Sequence, residues 1–291
     1  MLVEVTGHPL EWMGLNAMLV TAVDVTERQA ANASLRRQNV MLQSKLDLLA
    51  SDLKKVQDEH NSFNYALSHD LQSPLHVVDG FAKTLVARYS ESLDAQGLHF
   101  LQRIEASVQK MAKLIDDLRL LSRIPRLAMN VQSVDLAPIC TVIMERLRKD
   151  DPGRVTELEM PDRVEVWGDK TLLATALSCL LENAWKFTAR KPQAWIKIGL
   201  THTPGSNDDV LSVLDNGAGF DSAYTHKLFV PFQRLHSSAD FPGTGLGLAI
   251  VKKIAERHGG TVSAESANGA GANVFMRMPR MDAATTSLSV R

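Results

Sequence analysis

Between residues 35 and 67 apolar residues recur in two rows, each with a seven-residue step. Leu35, Leu42, Leu49, Val56 and Phe63 make one row, and Asn39, Leu46, Leu53, His60 and Leu67 the other. Alternating steps of three and four predict the a/d seam of a coiled coil, the alternative being one amphipathic helix packed on its own chain; the narrow, long stripe favours the coiled coil, and a buried Asn at an a position favours a two-stranded parallel register. The pattern runs on through Ser68–His69–Asp70 to about Tyr89, with Pro74 removing one backbone bond and predicting a kink. After a turn at 90–97, a second apolar stripe (Leu98, Leu101, Ile104, Val108, Met111, Ile115, Leu118, Leu121) predicts an antiparallel partner helix. Two such hairpins would pair as a four-helix bundle.

Ahead of the seam, 2–11 and 16–25 are rich in β-formers and predict two strands with a turn near Gly14. Two strands alone are marginal in water, which marks this stretch as the end of a larger domain or a hairpin that packs on something else. Residues 123–133 contain Pro125, lack periodicity and read as a linker. Beyond them the pattern mixes predicted helices (136–149, 170–188, 245–258) with predicted strands (155–159, 164–166, 195–201, 210–214, 261–265, 273–278). Strands grouped with helices but not strictly alternating predict an α+β sandwich.

Composition sharpens this division. Residues 15–124 hold one proline and two glycines, whereas 214–271 hold nine of the 17 glycines. Sparse helix breakers suit long helices; clustered glycines suit loops where backbone approaches a ligand. The 291 residues suggest about two domains on length. A net charge of −1 argues against a nucleic-acid binder working through bulk positive charge. No apolar run approaches a membrane span. The two cysteines, Cys140 and Cys179, lie in apolar helical sequence and read as reduced core thiols of a cytosolic protein.

Four short constellations could carry chemistry. His69 beside Asp70 offers an imidazole nucleophile with a carboxylate to take its other proton. Asn183 and Lys186, three apart on a helix, pair a neutral oxygen ligand with a cation, which suits a magnesium–polyphosphate. Asp215 ends an apolar strand ahead of Gly217 and Gly219, where a carboxylate could accept from an amino group while glycines admit a flat ring. Gly243–Thr244–Gly245–Leu246–Gly247 runs into an apolar helix, a place for backbone N–H groups to cradle phosphates. Each alone is weak: a surface His–Asp pair, an exposed helix face, an Asp–Asn–Gly turn and a glycine-rich loop are all commonplace.

Taken in order, they resemble a sensor histidine kinase of the two-component type. Residues 68–75 resemble the phosphoacceptor box, 182–188 the Asn box, 214–220 and 243–248 the two glycine boxes, and 228–232 the Phe box. The run 232–236 followed by Pro242–Gly243–Thr244–Gly245 is similar to kinase cores found behind phytochrome and PAS sensors. Residues 1–26 resemble the last two strands of a PAS domain.

The resemblance implies a parallel coiled coil (27–61), a dimerisation and phosphotransfer hairpin (62–124), a linker (125–133), an α/β-sandwich ATP-binding domain of the gyrase, Hsp90 and histidine kinase type (134–281), and a loose tail (282–291). It implies that His69 accepts the γ-phosphoryl group of ATP with Asp70 as general base, that Asn183 ligates Mg²⁺, and that Lys186 contacts phosphate. Asp215 would bind the adenine amino group, with Gly217 and Gly219 shaping the pocket and Phe187 and Leu246 among the nucleotide contacts. Gly243, Thr244, Gly245 and Gly247 would form the lid hinge and phosphate cradle. Phe229 and Phe232 would anchor the lid, or serve as plain core aromatics, and Arg234 is a further phosphate contact. The coiled coil would be the input lever, and the linker the hinge that lets the ATP domain swing onto His69. The implied partners are a response regulator receiver domain and a second copy of the chain, in the cytoplasm, with no nucleic acid and no membrane insertion.

Three positions depart from the family pattern. Cys179 stands where an Asn often opens the Asn box. Ser73 stands at the position linked to phosphatase activity, where Thr or Asn is usual. Asn273 stands where a Thr often holds adenine through water. Two other readings remain: an ATPase of the gyrase, Hsp90 or mismatch-repair kind, which needs no His69, and a non-catalytic dimeric scaffold, which binds no ATP.

Overall fold

The computed structural model describes residues 1–12, 15–202, 208–237, 240–266 and 269–280. The turn near Gly14 and the tail 282–291 lie outside the described residues, as do the side chains of 57–69, His69, Phe63 and Leu67 among them. The chain forms two compact units, Met1–His60 and Asn61–Arg291.

In the first unit, β1 (Val3–Trp12) and β2 (Leu15–Asp24) pair antiparallel in one unbroken register. The first helix, α1 (Thr26–Tyr89), begins here and ends in the second unit. Its start is tied to the hairpin. Asp24 accepts from Thr26 N at 2.9 Å and Thr26 Oγ1 at 2.6 Å, while Leu2 N donates to Thr26 Oγ1 at 2.7 Å. The carboxylate thus satisfies orphan donors that every helix N-terminus leaves. Helix α1 is continuous through Pro74.

The second unit opens with the rest of α1, a short 3₁₀ turn at Ser90–Ser92, and α2 (Ala95–Arg123), capped by Asp94 through Gly97 N at 2.7 Å. Gln72 on α1 donates to Asp116 on α2 at 2.8 Å. A 3₁₀ turn at Ile124–Arg126 leads to β3 (Val131–Asp135), which pairs antiparallel with β5 (Glu165–Asp169). The stretch that reads as a linker is therefore largely structured. Ile124 is fully buried in the core of the α/β layers, and Arg257 donates to the Leu127 carbonyl at 2.9 Å. Periodicity misses β3 because only one of its five residues is fully buried, so its apolar signal is weak.

The remaining elements are α3 (Ala137–Asp150), β4 (Thr156–Glu159), α4 (Lys170–Phe187), β6 (Ala194–His202), β7 (Asp208–Asp215), a 3₁₀ turn at Ser222–Lys227, α5 (Gly247–Arg257), β8 (Thr261–Ser266) and β9 (Ala272–Pro279). The five-stranded sheet runs β4–β6–β7–β9–β8, parallel between β4 and β6 and antiparallel elsewhere. Helices α3, α4 and α5 bring Met144, Leu173, Leu177, Leu181, Ile250 and Ile254 against Ile196, Ile198, Leu211 and Met276 of the sheet, and these form one core. The result is the expected α+β sandwich behind a helical hairpin.

Candidate active site

Strict alternation along β7 places the first of the site's carboxylates. Asp209, Leu211, Val213 and Asp215 are buried while their neighbours are not, so Asp215 shares the apolar face of the strand. Only 5 % of it is exposed, and burial pushes its carboxyl up to about 6. The Gly217 N–H, which donates to Asp215 Oδ1 at 2.7 Å, pulls the other way. Gly217 has to be glycine: a Cβ there would lie 2.6 Å from Asp215 Oδ1 and 2.7 Å from the Phe187 carbonyl oxygen.

Helix α4 supplies the opposite wall. Its N-terminus is capped by Asp169, which accepts from Thr171 N and Leu172 N at 3.0 Å each and from Asn130 N at 2.9 Å. Its buried stripe, from Leu172 to Trp185, turns Asn183 and Lys186 to the cavity. Lys186 Nζ donates to Asn183 Oδ1 at 3.0 Å and lies 4.4 Å from the centre of the Phe187 ring. Burial, with the Arg234 guanidinium adding to it, lowers the Lys186 ammonium to about 8.

The third wall is the glycine loop ahead of α5. Gly245 has φ +76°, in the left-handed region, and its carbonyl accepts from Phe232 N at 3.0 Å. Arg234 donates to the Gly243 carbonyl at 3.0 Å and to the Phe241 carbonyl at 2.6 Å. Phe187, His236 and Phe241 form a three-ring cluster, with centroids 5.1–5.3 Å apart. His236 Nε2 lies 2.8 Å from the Gly219 carbonyl oxygen.

These walls enclose a cavity of about 360 Å³. Of the residues predicted from sequence, Asn183, Lys186, Phe187, Asp215, Gly219, Arg234, Gly243, Thr244, Gly245 and Gly247 line it. Gly217 stands behind Asp215. The Leu246 side chain, just ahead of α5, is fully buried in the core and is not among the cavity-lining residues. Phe232 is 57 % exposed with φ +64°, so it holds the glycine loop through its backbone and not its ring, and Phe229 is not among the cavity-lining residues. Cys179 does line the cavity, and burial raises its thiol to about 12, where it stays protonated. Ala272 and Val274 of β9 also line it; Asn273, between them, faces the other side of the strand, where its Oδ1 is buried with no hydrogen-bond partner. The departure at Asn273 therefore leaves the cavity untouched.

Sequence reasoning missed several lining residues, among them His236 and Phe241 of the ring cluster and Lys113 and Asp117 of α2. Thr244 Oγ1 donates to Asp117 Oδ2 at 2.8 Å, and Lys113 Nζ lies 3.8 Å from Asp117 and 4.0 Å from Glu182. Burial, with Glu182 and Asp116 nearby, raises the Asp117 carboxyl, while the Thr244 hydroxyl and Lys113 oppose the shift. Only the tertiary fold brings residues 113–117 to 244, so no local signal could have found them. His69 lies in α1, Asp70 beside it is exposed, and so is Ser73.

A charged floor, a cation with an amide oxygen, and a left-handed glycine loop in one cavity suit a nucleotide. Residues 168–282 match the family model of histidine kinase-, DNA gyrase B- and HSP90-like ATPases. Residues 59–126 match the model of the His Kinase A phospho-acceptor domain, with His69 inside it. The chain belongs to the two-component sensor histidine kinases. Among curated relatives, this kinase chain is 32% identical over 281 residues to cyanobacterial phytochrome A of Nostoc sp., covering 95% of the chain and 34% of the relative. It is 35% identical over 223 residues to the sensor histidine kinase TrcS of Mycobacterium tuberculosis, covering 74% of the chain and 43% of that protein. A crystal structure of full-length ShkA in complex with AMPPNP shares the fold, with TM-score 0.60 and 22% identity over 76% of this chain and 46% of that one. The chain spans about a third of the length of the first relatives it matches.

Proposed function

We propose that this chain is an ATP-dependent protein histidine kinase that phosphorylates His69 and passes the phosphoryl group to an aspartate of a separate response regulator. The observation that carries the reading is the convergence of Asn183, Lys186 and Asp215, from two distant stretches of sequence, on one cavity inside a kinase-type ATPase domain. Asp215 would accept from the adenine amino group at the cavity floor, against the ring cluster of Phe187, His236 and Phe241. Lys186 and the N–H groups of the glycine loop would hold the phosphates. The AMPPNP bound by ShkA supports an adenine nucleotide as the ligand class.

Magnesium fits the donors present. Asn183 Oδ1 is an uncharged oxygen already held toward a cation, Lys186 Nζ, at 3.0 Å. Among the described residues no group of three or more His, Cys, Asp or Glu is placed to hold a metal, so a Mg²⁺ here would lean on phosphate oxygens and water. When bound it would neutralise charge on the transferring phosphoryl group. The chain's own task is alignment: hold the nucleotide, bring it to the His69 imidazole, and let Asp70 take the other imidazole proton.

We further assign 1–26 to the end of a PAS-like domain, and the exposed seam of α1 to a parallel homodimer in the cytoplasm. No described helix is long and apolar enough to cross a membrane. Incubation with γ-labelled ATP and Mg²⁺ tests the whole reading. The expected product carries acid-labile, alkali-stable label that His69→Ala abolishes, while ATP binding persists in the variant. Label that survives His69→Ala, or ATP hydrolysis without labelling, would instead favour a gyrase- or Hsp90-like ATPase.

A further inference from the structure

The nucleotide cavity has a wall that the ATP-binding domain does not supply. Helix α2 of the hairpin projects Lys113 and Asp117, one turn apart, into it. The Asp117 side chain is only 16% exposed, and the hydroxyl of Thr244 spends its one proton on Asp117 Oδ2 at 2.8 Å. Thr244 sits between Gly243 and Gly245 in the loop that faces Lys186: a Cβ on Gly243 would lie 3.2 Å from Lys186 Nζ. A carboxylate from the hairpin therefore grips the phosphate end of the loop. Glu182 adds negative charge from α4, and Asp116 from α2. Arg146, at 2.6 Å, and Lys113, at 4.0 Å, both engage Glu182, whereas Lys186 and Arg234 donate to uncharged oxygens.

We propose that Asp117 is a specificity-determining wall of the nucleotide site: it latches the glycine loop to the hairpin, and its charge sets affinity according to how many phosphates the ligand carries. This rests on reading the cavity as the ATP site. A triphosphate arriving at Thr244 must break the Asp117 bond and sit beside a partly buried carboxylate, where like charges are poorly screened. A ligand with no phosphate reaches Asp215 and the ring cluster without meeting Asp117. The hairpin that carries the phosphoacceptor thus responds directly to an occupied phosphate site.

The test is calorimetric titration of the intact chain with ATP, ADP and adenosine, each with Mg²⁺, in wild type, Asp117→Asn and Asp117→Ala. Asp117→Ala is expected to bind ATP roughly tenfold more tightly, as loss of one charged hydrogen bond and its repulsion implies. The gain should shrink for ADP and vanish for adenosine. Asp117→Asn keeps an acceptor for Thr244 without the charge and should gain less than Ala. Hydrogen exchange at 243–247 in the nucleotide-free protein should quicken in Asp117→Ala. Equal ATP affinity in wild type and Asp117→Ala, a gain independent of phosphate number, or weaker ATP binding would overturn the proposal. Absence of ATP binding in every variant would overturn the reading of the cavity and the latch with it.

Discussion

Helix α1 and the five-stranded α/β layer differ in where their apolar surface goes. In the α/β layer Leu173, Leu177, Leu181, Ile196, Ile198 and Ile254 are all at most 1% exposed. Along α1, Leu35, Leu42, Leu46, Leu49, Leu53 and Val56 are 56–69% exposed. Burying one such side chain contributes about 1.5–3 kcal/mol, so an apolar seam of this length is stable only against another surface. One region completes its core within a single chain; the proposed homodimer would complete the other by association. The proposed kinase would need both behaviours: a rigid nucleotide site, and a helical part whose packing can change with its partner.

The sharpest way to break that contrast is to charge the seam. Leu42→Glu with Leu49→Glu should remove about 3–6 kcal/mol of association free energy per protomer, counted as two buried leucines from each chain. Sedimentation should then show a monomer where the wild type is a dimer, with ATP affinity unchanged within about twofold. A variant that stays dimeric would place the interface elsewhere. The mirror experiment empties the closed core. Leu177→Ala should cost about 2–5 kcal/mol of unfolding free energy, read by urea titration, and leave the oligomer mass alone.

A third substitution separates binding from folding within the α/β layer. Asp215→Asn should weaken ATP about 10- to 100-fold, as expected for a lost charged hydrogen bond. It should not lower the melting temperature of the nucleotide-free protein. The sign follows from linkage: the folded-state carboxyl is raised to about 6, so the folded protein holds a proton that the unfolded chain releases. Ionised Asp215 therefore costs stability above that pH. Binding needs the opposite state. ATP affinity should fall as pH drops through about 6, where Asp215 protonates, and fall again as pH rises through about 8, where Lys186 loses its proton. A flat affinity profile from pH 5 to 9 would remove both groups from the nucleotide contacts. The smallest effect belongs to a cap. Asp169→Ala, which strips α4 of its N-terminal acceptor, should cost about 0.5–2 kcal/mol by thermal melting.

Much of this could be read from residue order. The heptads, the second apolar stripe and the change to mixed strands and helices located the elements to within a few residues, because hydrophobic periodicity reports which face of an element is buried. Asn183, Lys186 and Asp215 were legible because each lies in a short local pattern whose spacing has a chemical use. Strand β3 was not legible, since four exposed or half-exposed positions out of five leave no alternation to see. The burial of the Leu246 side chain was not legible, because a glycine-rich motif conceals that one of its residues enters the apolar core. The exposed ring of Phe232 was not legible, because an aromatic residue suggests burial and its left-handed backbone gives no sign in the sequence.

The sequence by itself determined most of the element order, the heptad spacing of α1 and the residue types of the candidate site, all of which depend on neighbours within a few turns or strand residues. Only the tertiary structure decided that 124–135 docks on the α/β layer, that Ala272 and not Asn273 faces the cavity, and that Asp117 meets Thr244 across 127 residues. Strand pairing and helix packing set those distances, and no local pattern encodes which distant side chains the finished core brings together.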